Sequence, residues 1–177
     1  MPEQKTYDVA VIGAGVFGAW TAYCLRESGA TVALLDAYGP ANARASSGGE
    51  SRIIRMGYGA DEIYTRWSLR ALPLWKQLFA QGGRPELFQP TGVLWIAHDK
   101  HRYALDSLIT LKKLDARFEK LSLVELRHRY PQIAFEDDAL GILEPDSGVL
   151  MARRASAENR RGLSPRASAP TRNQRPP

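Results

Sequence analysis

Apolar and polar positions repeat with two different periods along this chain, and each change of period marks an element. Tyr7 to Ile12 is a short apolar run ended by Gly13, the pattern of a strand buried on both faces. Beyond it the period is helical: Phe17, Thr21, Cys24 and Leu25 recur on one side, with Ala22 beside them, and Gly29 is a natural stop. Thr31 to Leu35 is a second strand run, closed by Asp36. Strand, glycine turn, helix and strand make one right-handed crossover unit. Residues 37–60 are rich in Gly, Ser, Ala and Arg and read as loop, with Ser51 to Met56 the one candidate element. Asp61 can cap a helix carrying Ile63, Trp67, Leu74, Trp75 and Leu78, with Trp67 and Trp75 as core anchors. Pro73 is expected to kink it, and Gly82-Gly83 to end it. Gly92 to Ala97 reads as a strand. Residues 102–118 read as a helix with a Leu105, Leu108, Leu111 and Leu114 stripe. Ser122 and Glu125 form a capping box for a short helix closed by Pro131. Leu140 to Leu143 is a strand, followed by a turn at Glu144-Pro145-Asp146-Ser147-Gly148.

After Met151 the composition changes. Residues 152–177 contain no Val, Ile, Phe, Trp, Tyr or Met, and Leu163 is their only large apolar residue. A segment so poor in apolar surface is expected to be disordered. The net charge of +5 changes meaning accordingly. Seven of the 24 basic residues but one of the 19 acidic residues lie in this segment, leaving 17 bases against 18 acids in the first 151 residues. The body is balanced and the segment supplies the excess. No aromatic residue interleaves its arginines, so stacking on nucleic-acid bases has no support. Cys24 stands alone, cannot form an internal disulfide, and reads as a small core residue. The start has no signal-peptide pattern, and no apolar run approaches the ~20 residues of a membrane helix. A cytoplasmic protein is the default expectation. His98 and His101 have no third ligand nearby in the sequence, so no metal site is expected.

Gly13-Ala14-Gly15-Val16-Phe17-Gly18 follows a strand, opens a helix, and precedes an acid at the end of the next strand. In that context the glycine pattern predicts dinucleotide binding. Gly13 would permit the tight turn, Gly15 the approach of a pyrophosphate, and Gly18 the close packing of helix on strand. The helix N-terminus at Val16 would offer unpaired N–H groups to the phosphates. Asp36 could accept hydrogen bonds from the adenosine ribose, which disfavours NADP. The pattern alone leaves FAD and NAD open.

Ala45-Ser46-Ser47-Gly48-Gly49-Glu50-Ser51-Arg52-Ile53-Ile54-Arg55 with Gly57-Tyr58-Gly59, then Thr91-Gly92-Val93-Leu94, then Glu144-Pro145-Asp146-Ser147-Gly148-Val149-Leu150, resemble the monomeric sarcosine oxidase and N-methyltryptophan oxidase family. That family belongs to the D-amino-acid-oxidase-like flavoproteins. The resemblance runs from about Tyr7 to about Met151. It implies FAD as cofactor, a secondary amine or amino acid as substrate, and oxygen as the usual acceptor. Ser51 and Arg52 would lie beside the flavin, with Ser47 and Gly48 in the flavin loop. Arg55 would hold the substrate carboxylate, a task suited to a permanently charged, forked guanidinium. Without the resemblance, Arg52 and Arg55 read as one solvated helix face. Some relatives have His where Ser47 and Gly48 stand. Covalent flavin in the family uses a Cys of the C-terminal half, which Cys24 is not.

The expected fold is α/β: a Rossmann-type βαβ unit for FAD plus the beginning of a mixed-sheet substrate domain, incomplete in this chain. The expected divisions are 1–80 for the FAD-binding portion, 81–151 for a partial substrate domain, and 152–177 for the tail. Members of the family are about twice this length, and the tail resembles an out-of-frame reading. A truncated or frame-shifted, inactive copy is therefore expected. Two alternatives remain: a small NAD-binding dehydrogenase, and a non-catalytic module whose basic tail contacts nucleic acid.

Overall fold

A computed structural model of the chain describes residues 6–39 and 42–161, the last four of them as helical backbone. These residues fall into two compact units, one running to Gly48 and resuming at Ser156, the other spanning Gly49–Ala155.

In the first unit, β1 (Val9–Ile12) and β2 (Val32–Leu35) pair in parallel, in register from Val9 with Val32 to Ile12 with Leu35. Asp8 and Thr31 lock the start of the pair. The Thr31 N–H and hydroxyl both donate to the Asp8 carboxylate, at 2.8 and 2.6 Å, and the Asp8 N–H returns to the Thr31 carbonyl at 3.0 Å. Helix α1 (Val16–Glu27) crosses between the strands and lies against both. Its buried face differs from the expected one: Ala19 and Ala22 are buried, while Phe17, Thr21 and Cys24 are exposed. The reason is the close approach enforced at Gly18, which leaves room only for methyl groups beneath the helix. Cys24 is therefore not a core residue. Nor is β1 buried on both faces. Val9 and Val11 are half-buried, Ala10 is exposed, and Ile12 is 77% exposed.

The second unit holds two antiparallel sheets. In one, β8 (Gly148–Leu150) lies between β3 (Arg52–Ile54) and β4 (Phe88–Gln89). In the other, β7 (Ala139–Glu144) lies between β5 (Val93–His98) and β6 (Glu119–Leu121). Helix α2 (Glu62–Gln81) buries Thr65, Leu72, Trp75, Leu78 and Phe79, and runs through Pro73 without interruption. Trp75 is a core anchor as expected, but Trp67 is 58% exposed and packs edge-on to Tyr64. It lies two residues, some 200° of helix, from buried Thr65. A 3₁₀ turn at Pro85–Leu87 leads into β4.

Helix α3 (Arg102–Lys113) buries Ala104, Ser107, Thr110 and Leu111 rather than the full leucine stripe; Leu105 is exposed. Helix α4 (Leu123–Arg129) has the expected capping box: the Glu125 N–H donates to the Ser122 hydroxyl and the Ser122 N–H to the Glu125 carboxylate. Leu126 covers Gly141, where an added Cβ would lie 2.7 Å from its Cδ2. Gly141 and Ile142 point to opposite sides of β7. Helix α4 thus stands on one side of the sheet. The residues of α3 approach Ile142 and Glu144 on the other.

Four findings concern boundaries. The segment around Ser51 to Met56 is strand β3, and Gly148 begins a strand instead of ending a turn. The division of the chain falls after Gly48, not near residue 80, because α2 packs with the 3₁₀ turn and β4. Residues 152–161, expected as disordered tail, form helix α5 (Ala152–Arg161), with Ala152, Ala155 and Ser156 buried at i, i+3 and i+4. Alanine and arginine are among the best helix formers, and small side chains pack without large apolar ones. The remainder of the expected tail lies outside the described residues.

Candidate functional site

The three glycines of the fingerprint have three different reasons for being glycine. Gly13 has φ +98°, a left-handed conformation that favours glycine, and its N–H donates to the Leu35 carbonyl at 2.7 Å. A Cβ on Gly18 would collide with the Gly13 carbonyl and touch Val11 Cγ1 at 3.5 Å. Gly15 has neither constraint. Its φ of −69° and ψ of −176° suit any residue. Among the described residues, only the Ala45 side chain, at 4.0 Å, comes near the place of its Cβ. Gly15 is the N-cap of α1, and Val16 opens the helix beside it with N–H groups that lack intrahelical partners. The open space thus lies at the end of the helix that carries a positive partial charge.

Asp36 closes this cradle. Its Oδ2 accepts from the Ala14 N–H at 2.7 Å and its Oδ1 from the Tyr38 N–H at 2.8 Å. These two amides, Ala14 first, hold the carboxyl below the usual carboxylate range. A carboxylate has about four lone-pair positions, so with Ala14, Tyr38 and Asn42 donating, Asp36 retains capacity for one further donor, at Oδ2. Asn42 ties in the following loop, donating to Asp36 Oδ1 at 3.4 Å and to the Gly39 carbonyl at 2.8 Å. Its own oxygen accepts from the N–H groups of Arg44 and Ala45. Ser47 is half-buried and Gly48 buried. A Cβ on Gly48 would sit 2.7 Å from the Asn42 carbonyl. The structure therefore gathers Gly13, Gly15, Val16, Gly18, Asp36, Ser47 and Gly48 in one unit, and Ser51, Arg52 and Arg55 in the other.

Arg52 and Arg55 lie on and just after β3, not on a helix. Ser51 and Arg52 are exposed, and the Arg52 guanidinium donates back to the Ser51 carbonyl at 2.8 Å. Arg55 is half-buried. Its guanidinium lies over the ring of Trp95 at 4.2 Å and that of Tyr58 at 4.5 Å, and donates to the Gly57 carbonyl at 2.6 Å. It has no carboxylate partner among the described residues. Aromatic faces hold such a cation without neutralising it.

Trp95 and Gly57 also border a cavity of about 460 Å³ between α3 and the sheet, walled by Tyr103, Phe135 and Ile142. The Trp95 indole N–H is buried with no acceptor among the described residues. His98 and His101 stand at this cavity as well. His98 Nδ1 lies 3.0 Å from the Asp138 carboxylate.

Sequence reasoning missed the residue that holds this region together. Glu144, read as the start of a turn, is 1% exposed and accepts three hydrogen bonds, two from the backbone after Arg55. Ser107 and Thr110, polar positions within the apolar face of α3, were the available signal.

A family model described as FAD dependent oxidoreductase (DAO) matches residues 8–166. The chain belongs to that family. The match continues past Met151, where the sequence reading ends the resemblance, as does helix α5. An N-methyl-L-tryptophan oxidase of Yersinia pestis (strain Pestoides F) is 34% identical over 149 residues, covering 84% of this chain and 40% of that protein. A solved structure of NikD, an amino acid oxidase, superposes with a TM-score of 0.71 at 27% identity, over 90% of this chain and 41% of that one. A glycine oxidase from Bacillus cereus shares the fold, with a TM-score of 0.65 at 20% identity. The chain thus spans about two fifths of the length of these relatives. No helix among the described residues is long and apolar enough to cross a membrane.

Proposed function

We propose that this chain supplies the dinucleotide cradle and the substrate-carboxylate anchor of an FAD-dependent oxidase of secondary amines or amino acids. Gly15 carries the cofactor half of the reading. A glycine that neither backbone conformation nor internal packing requires, placed at a helix N-terminus, is explained by a ligand that must approach the backbone there. Phosphates would meet the first N–H groups of α1, and the Asp36 Oδ2 lone pair left beside the Ala14 bond would take a ribose hydroxyl. Ser47, Gly48, Ser51 and Arg52 are the groups proposed to lie along the flavin. When bound, the flavin supplies a hydride acceptor for the carbon next to the substrate nitrogen, with oxygen as the terminal acceptor. Arg55 would hold the substrate carboxylate. Its guanidinium is charged, half-buried and steadied by two rings, yet has no carboxylate partner among the described residues. The oxidase names of the relatives support the same substrate class.

A thermal-shift comparison tests the cofactor half. A ligand bound only by the folded state adds about 2.7 kcal/mol at a hundredfold excess over its Kd. FAD should raise the Tm and NAD should not. Gly15→Val should lower the ligand-free Tm only by the modest cost of a β-branched N-cap, since a Cβ there meets only the Ala45 side chain at 4.0 Å among the described residues, and should abolish the FAD shift. An equal response to NAD, or an undiminished FAD response in Gly15→Val, would overturn the reading.

A further inference from the structure

The buried polar side chains of the second unit converge on one stretch of backbone, Met56 to Gly59. Glu144 Oε2 accepts from the Met56 N–H at 2.5 Å, and Oε1 from the Gly57 N–H at 3.0 Å. Ser147 donates its hydroxyl to the same carboxylate at 2.7 Å. From α2, the Thr65 hydroxyl donates to the Met56 carbonyl at 2.8 Å. From α3, Thr110 donates to the Gly59 carbonyl at 2.7 Å, and Ser107 accepts the Gly59 N–H at 2.8 Å. Thr65, Ser107, Thr110, Glu144 and Ser147 are all buried. Burying a carboxylate is costly unless donors replace its water, and three do so here. An apolar residue at 144 would leave two backbone N–H groups buried without acceptors.

The gripped stretch begins one residue after Arg55. The Arg55 guanidinium in turn grips the same stretch, through the Gly57 carbonyl and the Tyr58 ring. Hydrogen bonds from Glu144 to residues 56 and 57 therefore fix the frame on which that guanidinium rests.

We propose that Glu144 is a positioning residue for Arg55: by holding the Met56 and Gly57 amides, it sets where the guanidinium meets a substrate carboxylate. The proposal rests on the reading of Arg55 as carboxylate anchor. Glu144 itself touches neither substrate nor cofactor in this account. Its contribution passes through two amides and one cation.

The test uses the 177-residue chain labelled with 5-fluorotryptophan, whose four indoles give separate ¹⁹F resonances. Trp95→Phe identifies the Trp95 signal, and Arg55→Ala records its position without the cation above the ring. Glu144→Gln keeps the side-chain shape but accepts fewer N–H groups. It should move the Trp95 signal toward the Arg55→Ala position, and add nothing in an Arg55→Ala background. An unmoved Trp95 signal in Glu144→Gln, or an equal displacement with Arg55 absent, would overturn the proposal. If Glu144→Gln collapses all four signals, Gly57→Ala replaces it. There an added Cβ crowds Glu144 Oε1 at 2.9 Å while both charges remain. A second arm measures sarcosine binding by the FAD-loaded chain. Arg55→Ala should abolish it, and Glu144→Gln should weaken it roughly tenfold. Binding unaffected by Arg55→Ala would remove the carboxylate-anchor reading while leaving the resonance coupling as a separate result.

Discussion

His98 and Asp138 form an exposed ion pair at the end of β5, with Nδ1 3.0 Å from the carboxylate. The hydrogen bond and then the charge of Asp138 raise the imidazole above its ordinary 6.5, with smaller help from Glu136 and Asp99. The same hydrogen bond lowers Asp138 below 3.8. The signs fix where the pair acts. The part carried by the raised His98 is fully present below pH 6.5 and is lost as pH rises through its folded value. The part carried by the lowered Asp138 is present above pH 3.8 and is lost as pH falls through its folded value. Both side chains are exposed, so the gain in stability is small, and the titration itself is the better observable. In Asp138→Asn, the His98 ring-proton midpoint should fall toward 6.5, with a residual elevation from Glu136 and Asp99. An unchanged midpoint followed by NMR would show that Asp138 does not hold the proton there. At this scale the turn at Gly13, the helix–strand packing at Gly18 and the acid that follows β2 were legible, because all three belong to one crossover. Glu144 was not. Its partners, Met56 and Gly57, lie 88 and 87 residues away, and nothing in the local pattern distinguishes a carboxylate that begins a turn from one that faces inward.

Helix α4 shows how much one cap can decide. It has seven residues, too few to be stable by propensity alone. It is held by the Ser122–Glu125 box at one end and by fully buried Leu126 over Gly141 in the middle. Ser122→Ala removes the acceptor for the Glu125 N–H and should cost about 1 kcal/mol. In urea this appears as a lower midpoint with an unchanged slope. An unchanged midpoint would mean that packing on Gly141 alone sets the helix. Elements with a local signature, such as this box, the run Val9–Ile12 and the amphipathic α2, were readable. The strands β4 and β6, of two and three residues, are too short to show a period. Gly148 looked like a turn residue, but a Cβ there would run into the Gln89 carbonyl of the neighbouring strand, so glycine serves strand contact. Helix α5 escaped notice because a count of large apolar side chains overlooks alanine, which both favours helix and fits a tight interface.

For the whole chain, the two proposed tasks sit in different compact units. The cradle around Gly15 is organised by bonds within the first, and the Arg55 anchor by bonds within the second. The phosphate cradle and the carboxylate anchor can therefore be probed separately by Gly15→Val and Arg55→Ala. Turnover requires the reacting carbon to be held against the flavin in one geometry, and effective molarity falls steeply with small misplacement. The chain matches about two fifths of the length of its oxidase relatives. Around the cradle, Ile12 and its register partner Leu35 are exposed, and Phe17 is 86% exposed, so apolar surface surrounds the proposed phosphate site. We propose binding without catalysis for the 177-residue chain, as a reading open to direct test. Saturated with FAD and supplied with sarcosine and oxygen, it should release no more hydrogen peroxide than free FAD does, while Gly15→Val abolishes the FAD-induced rise in Tm. Peroxide release above that blank, lost in Arg55→Ala, would show that these residues suffice for the reaction.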